Sequence, residues 1–166
     1  DVYKRQPLDN INDEKGEIAL CTLSAVNLGE VQSLDDIEEP AELIVRALDA
    51  LLDYQDYPVK AAENGSMNRR TLGVGVINYA YYLAKNGVKY SDGSALGLTH
   101  QTFEALQYYL LKASNKLAKE KGACPAFNET TYSQGILPID TYKADLDKIC
   151  NEPCLLYTSD AAERAS

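Results

Sequence analysis

The chain has 166 residues, 45% of them hydrophobic and 25% charged, with 25 Asp and Glu against 16 Lys and Arg for a net charge of −9. That acidic balance disfavours a nucleic-acid-binding surface, and the apolar fraction excludes intrinsic disorder. No apolar run approaches the roughly 20 residues that span a bilayer, and no signal peptide is visible.

At the start, Asp1-Val-Tyr-Lys-Arg-Gln6 has a hidden relation to Cys154-Leu-Leu-Tyr-Thr-Ser159 near the end. The DNA GATGTGTATAAGAGACAG encodes the first hexapeptide, and its complementary strand, read one base later and completed with a T, encodes the second. This DNA resembles a transposase sequencing adapter. Residues 1–6 and 154–166 are therefore expected to be non-native, leaving 7–153 as natural sequence. The two ends carry three basic and three acidic residues, so the net charge without them is still −9.

Asp9 to Gly16 reads as polar turns. A calcium loop is disfavoured there, because apolar Ile11 falls on a ligand position and Gly16 comes too late for the sharp turn. From Ile18 to Val26 a short, partly β-branched apolar run predicts a buried strand. Between Pro40 and Tyr54, Leu43, Ile44, Ala47, Leu48, Leu51 and Leu52 recur at helical spacing, with Glu42, Arg46, Asp49 and Asp53 on the other side. Ser33 with Asp36 offers a capping box for an earlier start, and Pro58 closes the segment. Arg70 to Leu83 predicts a short strand, a glycine-eased turn and a helix ending at Asn86-Gly87. A long helix is expected from Thr99 to Lys121, with Phe103, Leu106, Leu110, Ala113 and Leu117 inward and Gly122 as its stop. A short helix follows over 128–134, stopped by Gly135. Asp140 is a good N-cap for a last helix that buries Tyr142, Leu146 and Ile149. No internal repeat or domain linker is evident.

The residues alone offer few chemical signals. Cys21, Cys124 and Cys150 lie far apart and Cys154 falls in the suspect tail, which is no disulfide scaffold. With His100 as the sole histidine, the Cys150 to Cys154 spacing makes no metal site, and none is expected. Gly73-x-Gly75-x-x-Asn78 lacks the third glycine of a dinucleotide fingerprint. Arg69-Arg70 favours a surface or ion-pair role over phosphate binding. Tyr54, Tyr57, Tyr79, Tyr81, Tyr82, Tyr108 and Tyr109 are assigned to packing, with buried rings and wet hydroxyls. By the same local reasoning Cys21 on an apolar strand is inert packing.

Longer stretches change that reading. Asn12-Asp-Glu-Lys-Gly-Glu-Ile-Ala-Leu-Cys-Thr-Leu-Ser-Ala25, Arg46 to Tyr57, Arg69 to Asn78, Tyr81 to Lys85 and Gly122-Ala-Cys-Pro125 resemble the catalytic α subunit of bacterial class Ia ribonucleotide reductases. The similarity covers essentially Pro7 to Pro153. It implies an α/β fold, as a partial segment of a ten-stranded α/β barrel, mostly helical with a few short strands. It also implies reduction of ribonucleoside diphosphates, in which a thiyl radical takes hydrogen from ribose carbon 3 and a cysteine pair supplies the electrons.

In that family Cys21 matches one of the reducing pair, its disulfide partner lying outside this chain. Strand alternation turns Leu23 to the same side, as a substrate-pocket residue. The resemblance implies no cofactor in this chain. In the parent it implies a radical generated by a metal-containing β subunit, an α homodimer, thioredoxin or glutaredoxin as reductant, effector nucleotides such as ATP bound elsewhere, and a cytoplasmic location. The radical cysteine, phosphate-binding loop and radical-path tyrosines are absent, so the isolated fragment is expected to be inactive. The competing reading is a self-contained helical interaction module in which Cys21 only packs. A partial barrel should leave unpaired strand edges and exposed apolar faces, whereas a module should unfold cooperatively.

Overall fold

The computed structural model describes residues 14–137 and Asp140. The end segments 1–6 and 154–166 and the helix expected beyond Asp140 lie outside these residues. The described order is β1 (Leu23–Asn27), α1 (Glu38–Tyr54), α2 (Lys60–Arg69), β2 (Gly73–Ile77), α3 (Tyr79–Lys85) and α4 (Leu96–Lys121). Short 3-10 turns occupy Leu28–Glu30, Leu34–Ile37, Phe127–Glu129 and Thr131–Gln134.

β1 and β2 pair in parallel, from Leu23 opposite Gly73 to Asn27 opposite Ile77. Parallel neighbours need a long crossover, which α1 and α2 supply. The helices that follow the strands repeat this relation. Asp35 meets Tyr109, Glu38 meets Lys112, Glu42 meets Lys116 and Arg46 meets Glu120, each pair 74 residues apart. A constant offset means that α1 and α4 run side by side in the same direction, as neighbouring helices outside a parallel sheet do. The last three of these contacts are ion pairs at the surface, which set alignment more than stability, at roughly 0–1 kcal/mol each.

Between the helices and the sheet lies the core. Val26, Leu28, Val31, Ile37, Tyr82, Ala105 and Leu106 form its main cluster, and Val45, Ala113 and Leu117 a second. The Tyr82 hydroxyl stays satisfied inside it by a 3.0 Å hydrogen bond with Thr102 Oγ1. Among the described residues no helix is long and apolar enough to cross a membrane.

Several expectations are corrected. The strand expected over 18–26 begins its ladder only at Leu23, because upstream the Ile18 N–H donates to the Ala61 carbonyl of α2 at 2.9 Å. Nor is it buried on both sides, since the described helices cover one face only and Leu23 on the other is 70% exposed. α1 starts at Glu38, after a turn in which the Asp36 carboxylate accepts the Gln32 and Ser33 N–H groups. Its buried line is Ala41, Val45, Leu48 and Leu52, which turns Leu43 and Leu51 outward and Asp49 inward.

The glycines of 73–77 lie within β2, and the turn that follows is made by Asn78 at φ 61°. In α4, Phe103 is exposed, and the inward face carries Thr102, Ala105, Leu106, Ala113 and Leu117. The short helix expected over 128–134 is a pair of 3-10 turns that ends at Gly135, φ 73°. α2 has no counterpart in the predicted elements. It is weakly amphipathic and buries small residues, Ala61, Ala62, Gly65 and Ser66, in place of a hydrophobic stripe.

Candidate functional site

Alternation divides the sheet into two faces. Thr22 and Val26 of the β1 segment are buried, with Val74 and Val76 of β2 packed against the core beside them. On the opposite face are Cys21, Leu23 and Ala25 beside Gly73, Gly75 and Ile77, of which Cys21, Leu23, Gly75 and Ile77 are exposed. Leu23 is 70% exposed, so the neighbouring residue expected to share a side with Cys21 does so on an open surface. Cys21 is thus no packed core cysteine, and its thiol is free. In a barrel the helix-covered face points outward and the other face lines the interior.

Two backbone anchors hold Cys21 in place. Downstream, the Gly73 N–H donates to the Thr22 carbonyl at 2.9 Å; upstream is the Ile18 to Ala61 bond. α2 grips the approach to the cysteine through its polar side chains. Asn64 Nδ2 donates to the Glu14 and Gly16 carbonyls, Asn68 Nδ2 to Glu17 Oε1, and Arg69 Nε to Glu17 Oε2 at 2.7 Å. The Asn68 and Arg69 hydrogen bonds hold the Glu17 carboxyl below its ordinary range.

Gly65 lets the two segments touch, because a Cβ there would collide with the Ile18 carbonyl oxygen. Backbone has no alternative rotamer to adopt. Gly65→Ala in the full-length subunit is expected to cost about 1–3 kcal/mol by overpacking. It should also increase amide exchange over residues 16–22, and unchanged exchange there would count against this docking role.

The ends of the two strands are tied by an amide pair. Asn27 Oδ1 accepts the Gly29 N–H at 3.0 Å and Asn78 Nδ2 at 2.8 Å. Arg69 and Arg70 form ion pairs, as expected. Arg69 bonds Glu17 and Glu129, while Arg70 spans Asp49 and Asp53. Of the tyrosines, Tyr82 is buried, and Tyr79 packs edge-on against Tyr90 and Phe103. Burial and the Asp35 hydrogen bond push the Tyr109 phenol up to about 12. Tyr54 and Tyr81 depart from the packing assignment and are exposed, since their helix faces point away from the core. Cys124, beyond α4, is half-buried with a free thiol. Among the described residues no three His, Cys, Asp or Glu side chains gather as a metal site.

A parallel strand pair backed by parallel helices, with an exposed thiol on its uncovered face, defines a segment of an α/β protein. Residues 9–164 match the family described as "Ribonucleotide reductase, barrel domain". The chain is 73% identical over 148 residues to the ribonucleoside-diphosphate reductase subunit alpha of Haemophilus influenzae, covering 89% of this chain and 20% of that protein. It is 78% identical over 102 residues to ribonucleoside-diphosphate reductase 1 subunit alpha of Escherichia coli, 61% of this chain and 13% of the relative. To the alpha subunit of Enterobacteria phage T4 it is 52% identical over 145 residues, 86% of this chain and 19% of the relative. The chain belongs to the ribonucleotide reductase family, as a segment of the large-subunit barrel domain. It spans about a fifth of the length of the Haemophilus relative. The reading as a self-contained helical interaction module is thereby set aside.

Gly73 and Gly75, weighed in the sequence as an eased turn and an incomplete nucleotide fingerprint, lie in the strand, where the parallel register sets them beside Leu23 and Ala25.

Proposed function

We propose that this chain is part of the catalytic α subunit of an enzyme that reduces ribonucleoside diphosphates to deoxyribonucleoside diphosphates, with Cys21 as one of two reducing thiols. The exposure of Cys21 on the uncovered face of the sheet, beside Leu23, carries this reading. A strand thiol on the inner wall of a barrel reaches substrate held there, and its anchored backbone keeps it in register.

Electrons and atoms balance as follows. Two thiols give up two electrons and two protons and close a disulfide, while the substrate loses its 2′-hydroxyl as water and gains one hydrogen at that carbon. The hydrogen first removed from ribose carbon 3 by a thiyl radical returns there, so it does not enter the sum. The second thiol belongs to the remainder of the parent subunit, as does the radical cysteine. A metal-containing β subunit generates the radical, a second α subunit completes a homodimer, and thioredoxin or glutaredoxin reopens the disulfide. Effector nucleotides bind outside this segment, and the parent works in the cytoplasm. Leu23 lines the nucleoside pocket.

A single turnover of the full-length enzyme with external reductant omitted tests the assignment. Peptide mapping is expected to find Cys21 in a disulfide with a cysteine outside residues 7–153. Stoichiometric product with Cys21 still a free thiol would overturn it. The 166-residue chain itself, supplied with β subunit and a thioredoxin system, is expected to form no deoxyribonucleotide above the blank.

A further inference from the structure

Among the described residues α2 contributes nothing to either hydrophobic cluster. Its contacts converge instead on one short stretch, residues 14–18, directly before the candidate redox strand. Ala61, Asn64, Gly65, Asn68 and Arg69 recur at the spacing that elsewhere carries a hydrophobic stripe, so they share one side of the helix. Each of them meets that stretch. The Ala61 carbonyl accepts the Ile18 N–H, Asn64 donates to the Glu14 and Gly16 carbonyls, and Gly65 lies close against the Ile18 backbone. Asn68 and Arg69 take the two oxygens of Glu17.

A face that buries apolar area holds an element against a core, whereas this one holds a path of backbone by hydrogen bonds whose directions fix it. The grip on Glu17 is charge-assisted: Arg69 Nε donates to one carboxylate oxygen at 2.7 Å while Asn68 Nδ2 donates to the other at 3.0 Å. Held at both oxygens, the carboxylate is fixed against rotation about its last bond. The clamp is steadied in turn from beyond α4, where Glu129 Oε2 lies 3.2 Å from Arg69 Nη2 and the Ala126 N–H donates to the Asn68 carbonyl at 3.0 Å. Glu17 stands four positions before Cys21, and the Thr22 carbonyl just after it is bound to the Gly73 N–H. Residues 19–21 therefore bridge two fixed points, one on α2 and one on β2.

We propose that Arg69 and Asn68 are positioning residues for the Cys21 thiol, acting through Glu17 on the backbone that carries it. This rests on the reading of Cys21 as one of two reducing thiols. Disulfide closure demands such placement: the two thiols pass two electrons and two protons to the substrate, which leaves as the deoxy product and water. The two Cα atoms must come within about 4.4–6.8 Å of each other, and a misplacement of about 1 Å can cost about 100-fold in rate.

The test uses the full-length α subunit, with β subunit and a thioredoxin system, carrying Arg69→Ala, Glu17→Gln or, as a control on the same helix, Lys60→Ala. Arg69→Ala is expected to lower kcat about 10- to 100-fold with KM for the nucleoside diphosphate parental, because substrate binding does not pass through the clamp. Glu17→Gln, which keeps the Asn68 bond, should lose less. In a glutathione buffer the Cys21 disulfide of Arg69→Ala should be easier to reduce by about tenfold in equilibrium constant, or about 30 mV, a shift that lowered stability alone does not produce. Lys60→Ala removes a surface pair with Glu63 and should leave rate and potential parental. If Arg69→Ala does not fold, the potential of Glu17→Gln decides. Parental kcat and potential in the clamp variants, an equal shift in Lys60→Ala, or loss of the thermal transition in both clamp variants would overturn the inference, the last because the clamp would then serve packing. Peptide mapping of the parent after one turnover keeps the two readings apart. Cys21 found in a disulfide, with unchanged clamp variants, sinks the clamp alone; Cys21 still a free thiol sinks the redox role and the clamp's purpose with it.

Discussion

Serine in place of Cys21 in the full-length subunit is expected to stop nucleoside-diphosphate reduction while leaving the fold intact. The substitution exchanges sulfur for oxygen with little change of volume, at a thiol that no disulfide holds in this segment, so no sizeable cavity results. Stability should change by no more than about 1 kcal/mol, the typical size of a single substitution. Chemistry should suffer far more, because a hydroxyl cannot close a disulfide and the second thiol has no partner. Loss of a group that acts as a unit with another removes nearly the whole of their joint effect, here about 10³-fold or more in kcat. Turnover assayed with a thioredoxin system, beside a thermal melt, separates the two contributions. Parental kcat in the serine variant would remove Cys21 from the reaction.

A second large effect is expected at the junction of α1, α2 and α4. Arg70 ends α2 at φ 44°, a conformation that costs a non-glycine residue roughly 1–2 kcal/mol. It is held there because Nε donates to Asp49 Oδ1 at 2.7 Å, Nη2 to the Asp49 carbonyl, and Nη1 and Nη2 to the Asp53 carboxylate. Lys121 at the end of α4 donates to the other Asp49 oxygen at 2.8 Å. The Asp49 side chain is only 10% exposed and Arg70 20%, so removing the arginine leaves a largely desolvated carboxylate with one exposed lysine for company.

Arg70→Ala is expected to cost about 2–3 kcal/mol, between the values for surface pairs and for fully buried ones. Arg70→Gly should cost about 1 kcal/mol less, because glycine adopts the left-handed conformation freely. Equal losses for the two would show that the backbone conformation contributes nothing to the balance. Denaturant melts of the parent and both variants decide this.

The same junction should respond to acid. Burial raises the Asp49 carboxyl, but hydrogen bonds from Arg70 and Lys121 outweigh it and hold the group below its ordinary value. A carboxylate lowered on folding stabilises fully above its unfolded pKa of about 3.9 and loses that contribution as pH falls through the folded value. The stability gap between parent and Asp49→Asn should therefore narrow below about pH 4. A constant gap down to pH 2 would place the effect in packing instead.

Much of this segment was legible in its residues. The repeating apolar positions of α4, the stop at Gly122, the strand and helix around 73–85 and the capping Asp36 all follow from local rules, because each depends on neighbours a few residues away. The resemblance of long stretches to ribonucleotide reductases identified the family and singled out Cys21 and Leu23, which local reasoning had assigned to a packed strand. What local patterns do not carry is which side of an element meets which partner. α1 has apolar residues on most of its circumference, so only the parallel placement of α4 decides that Leu43 and Leu51 face out. Asp49 looks solvent-facing until Arg70 and Lys121, brought from 21 and 72 residues away, neutralise it inside.

α2 escaped notice for the same reason, since a helix that buries alanine, glycine and serine against a neighbouring backbone lacks the hydrophobic period that announces a helix. By itself the sequence determined the family and nominated Cys21 as the reducing thiol. Tertiary structure decided that the thiol stands on an open face, and that Gly73 and Gly75 share that face with it. Register between strands 50 residues apart is set by long-range pairing, which no local period encodes.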